Sequence, residues 1–252
     1  MNRIINSKYE NHLKYLDRVV QNFDSTGEEF GNQDRNSIKL FELEENTINV
    51  KSFKVPNIVN QIAYRFFRKS KAQRSFEYAN TLRKLNIGTP QPIAYYEFTT
   101  PFFLKKSYYI SEHLNYDLTF RELTTDLNYP NHEAILRAFT QFTFQLHEKG
   151  INFLDHSPGN TLIQLNNGNY KFFLVDLNRM NFVSMSFEAR MKNMARLTKQ
   201  DALIKVISDE YAKLIDKEYR VVYEVLWNDI NAFQKKFARK KELKKMLFFW
   251  RK

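Results

Sequence analysis

The 252-residue sequence contains no cysteine, which excludes disulfides and cysteine-ligated metal sites. Glycine and proline are scarce, six of each, and neither an internal repeat nor a low-complexity segment appears. Nowhere do 18 apolar residues run together, and the N-terminal MNRIINSKYENHLKYLDRVV lacks the continuous apolar core of a signal peptide, so a cytoplasmic location is expected. No Gly-x-Gly-x-x-Gly occurs; the first half of the chain offers only Gly27 and Gly31 before the first strongly alternating segment. Acidic residues are the minority, 28 against 39 Lys and Arg, giving a net charge of +11. No recognised nucleic-acid-binding motif accompanies that charge, so a nucleic-acid partner is not expected.

What is present is a hydrophobic content of 43% with a high aromatic share of 15%, enough for a sizeable core. INVKSF (48–53) alternates apolar Ile48 and Val50 with polar neighbours, as a half-buried strand does, and points Lys51 away from the apolar side. RSFEYANTLRKL (74–85) carries Phe76, Ala79, Leu82 and Leu85 at near-helical spacing, with Glu77 on the same helix. Gly88, Pro90 and Pro92 end it, and strands are expected at 93–98 and 107–110, the second running into Glu112-His113-Leu114. The stretch from Glu28 to Lys39 reads as a mobile loop.

The chemistry concentrates in NFLDHSPGNTLI (152–163) and KFFLVDLNRM (171–180). Asp155 precedes Asn160 by five positions and Asp176 by twenty-one. Transfer of a γ-phosphoryl group needs a carboxylate to orient and deprotonate the attacking hydroxyl, and oxygen ligands to hold Mg²⁺ against the phosphates. A loop carrying Asp155, a turn through Ser157, Pro158 and Gly159, and two short strands around Asn166–Asn169 would supply all three groups. Upstream, Ile135, Phe139, Phe142 and Leu146 form one helical stripe. Downstream, Tyr219, Val222, Tyr223, Leu226, Ile230, Phe233 and Phe237 form another, and both are read as core. His113 is read as an ordinary exposed histidine, and His147, just before the loop and able to orient it, is read first as a partly buried histidine with an ordinary hydrogen bond.

The D-x-x-x-x-N spacing, with a further aspartate closing a strand, resembles the protein-kinase-like superfamily. Phe153-Leu154-Asp155 stands where His-Arg-Asp is usual, and Asp176-Leu177-Asn178 where Asp-Phe-Gly is usual. The absent arginine removes the common partner of an activation-loop phosphate. Only about ten residues separate Asp176 from a helix expected near Ser186–Ala195, and no Ala-Pro-Glu follows, which disfavours protein substrates. Together with Gly88-Thr89-Pro90, these pieces resemble the lipopolysaccharide core kinases, the Kdo/heptose kinase family, from about Ile48 to Arg179.

That resemblance implies an α+β, protein-kinase-like bilobal fold, with a strand-rich N-lobe over 1–114, a helical C-lobe over 115–252 and a catalytic cleft between them. It implies ATP- and Mg²⁺-dependent phosphorylation of a sugar hydroxyl, Kdo or heptose, in a glycolipid at the cytoplasmic face of the inner membrane. By the same resemblance Asp155 is the base, Lys51 paired with Glu77 holds the α and β phosphates, and Asn160 with Asp176 binds magnesium. Backbone groups at Glu112 and Leu114 meet the adenine; in place of a glycine loop other backbone amides cover the phosphates, and Arg35 and Lys39, although able to assist there, read better as surface charges.

Two basic runs mixed with aromatics suit an anionic membrane surface, YRFFRKSKAQR (64–74) and KKFARKKELKKMLFFWRK (235–252), the latter ending in Phe248, Phe249 and Trp250. No protein partner is indicated. An aminoglycoside- or choline-type kinase matches the Pro-Gly-Asn turn as well, and a non-catalytic membrane scaffold remains open because the glycine loop is absent.

Overall fold

A computed structural model describes residues 1–32, 36–166 and 168–247, apart from the side chains of Lys244 and Leu247. Arg35, Phe248, Phe249, Trp250 and Arg251 lie outside the described residues. The fold is α+β, with a strand-rich N-terminal sheet and a helical C-terminal part. It comprises two compact units, 1–115 with 173–179, and 116–172 with 180–252. The expected boundary at 114/115 left 173–179 in the C-lobe; the structure packs that segment with the first unit.

The first unit opens with strand β1 (Asn2–Ile5) and helix α1 (Leu13–Gln21). Strands β2 (Glu28–Glu29), β3 (Asn36–Leu43) and β4 (Asn46–Phe53) follow, then helices α2 (Ile58–Phe66) and α3 (Lys71–Lys84), and strands β5 (Pro92–Thr99) and β6 (Leu104–Glu112). The strands form one sheet in the order β1-β5-β6-β4-β3-β2. Both faces are covered. Leu16 and Val20 of α1 pack with Ile48, Val50, Ile93, Tyr96 and Ile110 on one side; Ala72 and Phe76 of α3 pack with Phe53 and Tyr95 on the other. This double covering explains why Pro92–Tyr96 is buried at every position instead of alternating. Ser70 starts α3, its hydroxyl accepting from the Gln73 amide at 3.1 Å.

β3 corrects one expectation, because Asn36–Lys39 of the supposed mobile loop pair residue by residue with β4. Its register also decides the role of Lys39. Directly opposed residues share a face and alternate residues change face. Ile38 and Leu40, opposite Lys51 and Asn49, therefore share the Lys51 face, whereas Lys39, opposite Val50, points to the α1 side. There it is 9% exposed and donates to the carbonyls of Phe23 at 2.9 Å and Thr26 at 3.0 Å, closing the turn after α1. Lys39 is a structural cation and does not assist at the phosphates.

The second unit contains β7 (Leu118–Thr119), α4 (Phe120–Thr125), α5 (His132–Glu148), β8 (Ile151–Phe153), β9 (Thr161–Asn166), β10 (Asn169–Leu174, whose last two residues belong to the first unit) and β11 (Met180–Phe182). Helices α6 (Phe187–Met194), α7 (Asp201–Leu214) and α8 (Tyr219–Leu247) complete it. Ile135, Phe139, Phe142 and Leu146 are buried, as expected of that stripe. The α8 stripe ends sooner than expected. Val222, Leu226 and Ile230 are buried, but Phe237 is 59% exposed and stacks on Phe233 in the same helix, so it is no core residue.

A substitution at Lys39 separates structure from chemistry. Hydrogen bonds from a charged group contribute roughly 1.5–3 kcal/mol. Lys39→Met should therefore lose stability on that scale in chemical denaturation while its nucleotide affinity stays unchanged. Weaker ATP binding with unaltered stability would restore Lys39 to the phosphate site.

Candidate active site

Lys51 and Asp176 meet within the first unit. The Lys51 ammonium donates to Asp176 Oδ1 at 2.7 Å and lies 5.4 Å from the centre of the Phe53 ring. Asp176 sits just after β10 with a positive φ of 59°, a conformation uncommon outside glycine and concentrated at functional sites. The segment is fastened on the first unit by two bonds, Leu174 N–H to Gly88 O and the Thr89 hydroxyl to Leu174 O, both 2.9 Å. Asn178 Nδ2 donates to the same Asp176 Oδ1 at 2.8 Å. Both donors converge on one oxygen, so Oδ2 carries no hydrogen bond among the described residues and is available to a cation.

The expected Lys51–Glu77 ion pair does not form. Glu77, on α3, accepts instead from Lys69 at 2.7 Å and from Gln73 at 3.0 Å, one turn earlier on its own helix. Lys69 lies just ahead of the helix and reaches Glu77 across two turns, whereas Lys51 is taken by Asp176. The end of β6 is where Glu112-His113-Leu114 was expected. Glu112 N–H is committed to Gln91 O at 2.9 Å and His113 N–H to Thr47 O at 2.8 Å. The Glu112 carboxylate accepts from the Tyr9 hydroxyl. Of the two residues assigned to adenine, Leu114 is the one whose amide is not engaged in this way. Near the end of β6, a hollow is lined by Gly27, Glu28, Leu40, Phe41, Glu42, Thr47 and His113. Gly27 adopts φ +84°, and a side chain there would collide with the Phe41 ring.

The second unit holds Asp155 in the turn after β8. Arg196 Nη1 donates to Asp155 Oδ1 at 3.0 Å and to Leu154 O at 2.7 Å, fixing the carboxylate and its backbone together. The single turn of 3₁₀ helix at Pro158–Asn160 brings the Asn160 side-chain amide onto Asp155 O at 2.8 Å. With its NH₂ used in this way, Asn160 Oδ1 is left as an acceptor. Arg121 of α4 lies against Gly159, where an added Cβ would stand 2.7 Å from its guanidinium.

Beneath the loop lies a network that sequence reasoning missed. Asn193 on α6 donates to Phe153 O at 2.8 Å and to Asn152 Oδ1 at 2.9 Å. Its Oδ1 contacts His147 Nε2 at 3.1 Å and His156 Nδ1 at 3.0 Å. An amide oxygen only accepts, so both nitrogens carry protons, and His147 Nδ1 accepts from the Tyr211 hydroxyl at 2.7 Å. His156, fully buried and stacked on Phe153, makes no bond through Nε2 among the described residues. His147 is thus a buried, hydrogen-bonded histidine that supports the loop. His113 meets the Phe30 ring edge-on at 5.1 Å, and burial lowers its pKa. Asn193 and Arg196 had no detectable signal, since one polar residue on a helix has no diagnostic spacing.

The model of the lipopolysaccharide kinase (Kdo/WaaP) family matches residues 49–219. The chain belongs to that family. It is therefore an ATP-using phosphotransferase with an alcohol acceptor, a sugar hydroxyl of the lipopolysaccharide glycolipid. A solved structure described as WaaP in complex with acyl carrier protein superposes with a TM-score of 0.65 at 13% identity, over 95% of this chain and 99% of that one, which shows a shared kinase fold. No curated protein matches the chain. No helix among the described residues is long and apolar enough to cross a membrane.

The two buried histidines give this kinase an acid-sensitive loop support. Burial pushes His147 down to about 3 and His156 down to about 4, from the usual 6.5, so both are neutral when folded. Below pH 6.5 the unfolded chain takes up protons that the folded chain refuses, so stability falls as the pH drops from 6.5 toward 4. His156→Gln should flatten that fall by about one proton, measured by chemical denaturation across the range. An unchanged slope would contradict the buried neutral state.

Proposed function

We propose that the enzyme transfers the γ-phosphoryl group of ATP to a hydroxyl of Kdo in the lipopolysaccharide inner core, with Asp155 as general base. The observation that carries this reading is the Arg196-held Asp155 with Asn160 folded onto its carbonyl, in a chain of the Kdo/WaaP family. Asp155 accepts the proton of the attacking hydroxyl as the oxygen–phosphorus bond forms, and the leaving group is ADP. Lys51 neutralises phosphate charge. Leu114 offers its amide to adenine beside the hollow lined by Leu40, Thr47 and His113.

Magnesium fits the donor set. Asp176 Oδ2 in the first unit and Asn160 Oδ1 in the second each make no hydrogen bond among the described residues, and each is a hard oxygen of the type Mg²⁺ takes alongside phosphate oxygens and water. When bound, the ion neutralises charge on the β and γ phosphates. No group of three His, Asp or Glu able to hold a metal occurs among the described residues, which agrees with a cation shared with the nucleotide instead of caged by protein.

Arg121, beside the Pro-Gly-Asn turn, favours Kdo over heptose because Kdo carries a carboxylate that a guanidinium binds in bidentate fashion. The basic end of α8 supports contact with an anionic membrane surface. Lys235, Lys236, Arg239, Lys240 and Lys241 are all exposed, and the helix stops packing after Phe233.

Asp155→Asn should keep ATP affinity and lose roughly 10²–10⁴-fold in turnover. Near-normal turnover in that variant would remove Asp155 as the base. For the acceptor, mass spectrometry of inner-core oligosaccharides incubated with enzyme and ATP should place the new phosphate on Kdo, and Arg121→Ala should raise the KM for that acceptor. Phosphate found on heptose alone, or an aminoglycoside phosphorylated in preference to either, would overturn the assignment.

A further inference from the structure

Helix α2 has its amphipathicity reversed. Its one buried residue is polar: Gln61 is 8% exposed and donates to Pro56 O at 2.9 Å. Its apolar residues face outward, with Ile58 66% exposed, Val59 75%, Phe66 53% and Phe67, just past its end, 81%. Positions 58, 59, 62 and 66 fall on one side of a helix. Arg65 Nε donates to Thr100 O at 3.2 Å, tying the β5–β6 turn to the helix, and that turn exposes Phe102 at 64%. Single exposed apolar side chains are ordinary, but a contiguous outward face at this density marks an interaction surface.

The surrounding charge selects the partner. From Lys54 to Phe76 the chain has no Asp or Glu, while it carries Lys54, Arg65, Arg68, Lys69, Lys71 and Arg74. Among the described residues, Lys69 is the only one of these six paired with a carboxylate. Like charge on both partners disfavours a second copy of this chain on the face. An apolar strip bordered by cations is the composition of a helix lying in the surface of an anionic bilayer. The acceptor is a glycolipid, which resides in such a surface.

We propose that α2, with Phe67 and Phe102, inserts shallowly into anionic bilayer and holds the kinase at its glycolipid acceptor. This rests on the glycolipid acceptor of the family and not on the choice of sugar. It differs in kind from attraction by the basic end of α8. Charge alone gives binding that salt removes, whereas apolar insertion leaves a salt-resistant part.

The test uses the full-length protein with Phe67→Trp and vesicles of phosphatidylglycerol mixed with brominated phosphatidylcholine. The new tryptophan should be quenched by the bromine beyond the parent protein's own response, and part of that quenching should survive high salt. A double variant, Val59→Ser with Phe67→Ser, removes only exposed side chains. It should bind these vesicles at least about tenfold more weakly, keep ATP affinity, keep activity on soluble core oligosaccharide and lose activity on vesicle-embedded glycolipid. No added quenching, or equal vesicle binding by the double variant, overturns the proposal. A response of the tryptophan to poly-glutamate but not to vesicles also overturns it and assigns the face to an acidic protein. Failure of every sugar acceptor would refute the kinase reading, while the vesicle measurements would still decide the role of α2.

Discussion

The Lys51–Asp176 ion pair is the contact on which the account of the first unit depends. It joins a strand lysine to an aspartate 125 positions later in the chain and assigns 173–179 to the N-terminal unit. A half-buried ion pair contributes modestly to stability, because desolvation offsets much of the attraction. Its value is positional. Asp176 is held in a left-handed backbone conformation with one carboxylate oxygen occupied by Lys51 and Asn178, which leaves the other without a hydrogen bond among the described residues. Lys51 is held in turn by the sheet, where Ile48 and Val50 are buried on the opposite face and fix which way its side chain points.

The second unit holds its aspartate with one ion pair and a neutral network beneath it. Asp155 is oriented by one charged partner, Arg196, and the backbone beneath it by the Asn193 amide, which bonds Phe153 O and two buried histidines. A buried amide meeting four partners is costly to disturb, because each group left unpaired bears its full desolvation penalty. The family's chemistry is thus supported here by residues outside its recognisable motif. Arg196 binds Leu154 O and the Asp155 carboxylate at once.

Much of the fold was legible where periodicity is strong. β4 follows from alternation, α3, α5 and the first half of α8 from helical stripes, and β5 from the apolar run after the Gly88, Pro90 and Pro92 that end α3. β3 was hidden because its sequence, Asn-Ser-Ile-Lys-Leu-Phe-Glu-Leu, follows a polar stretch, and its buried lysine mimics a solvated one. α2 was hidden because its apolar residues face outward, so the pattern gives no core to match. At the site, spacing placed Asp155, Asn160 and Asp176 in the turns and strand end described above. Pairing was another matter. Which carboxylate a lysine meets depends on approach in three dimensions, and Lys51 takes Asp176 while Lys69 takes Glu77.

The central claim is that Lys51 and Asp176 form one nucleotide–metal site, and a double-mutant cycle on ATP affinity tests it directly. Calorimetry of wild type, Lys51→Met, Asp176→Ala and the double variant, each with and without Mg²⁺, separates the two contributions. The account predicts that Asp176→Ala abolishes the gain in affinity that magnesium confers, that Lys51→Met weakens binding with or without the ion, and that the two losses are not additive. Equal ATP affinity in all four proteins, or a magnesium effect that survives Asp176→Ala, would contradict it.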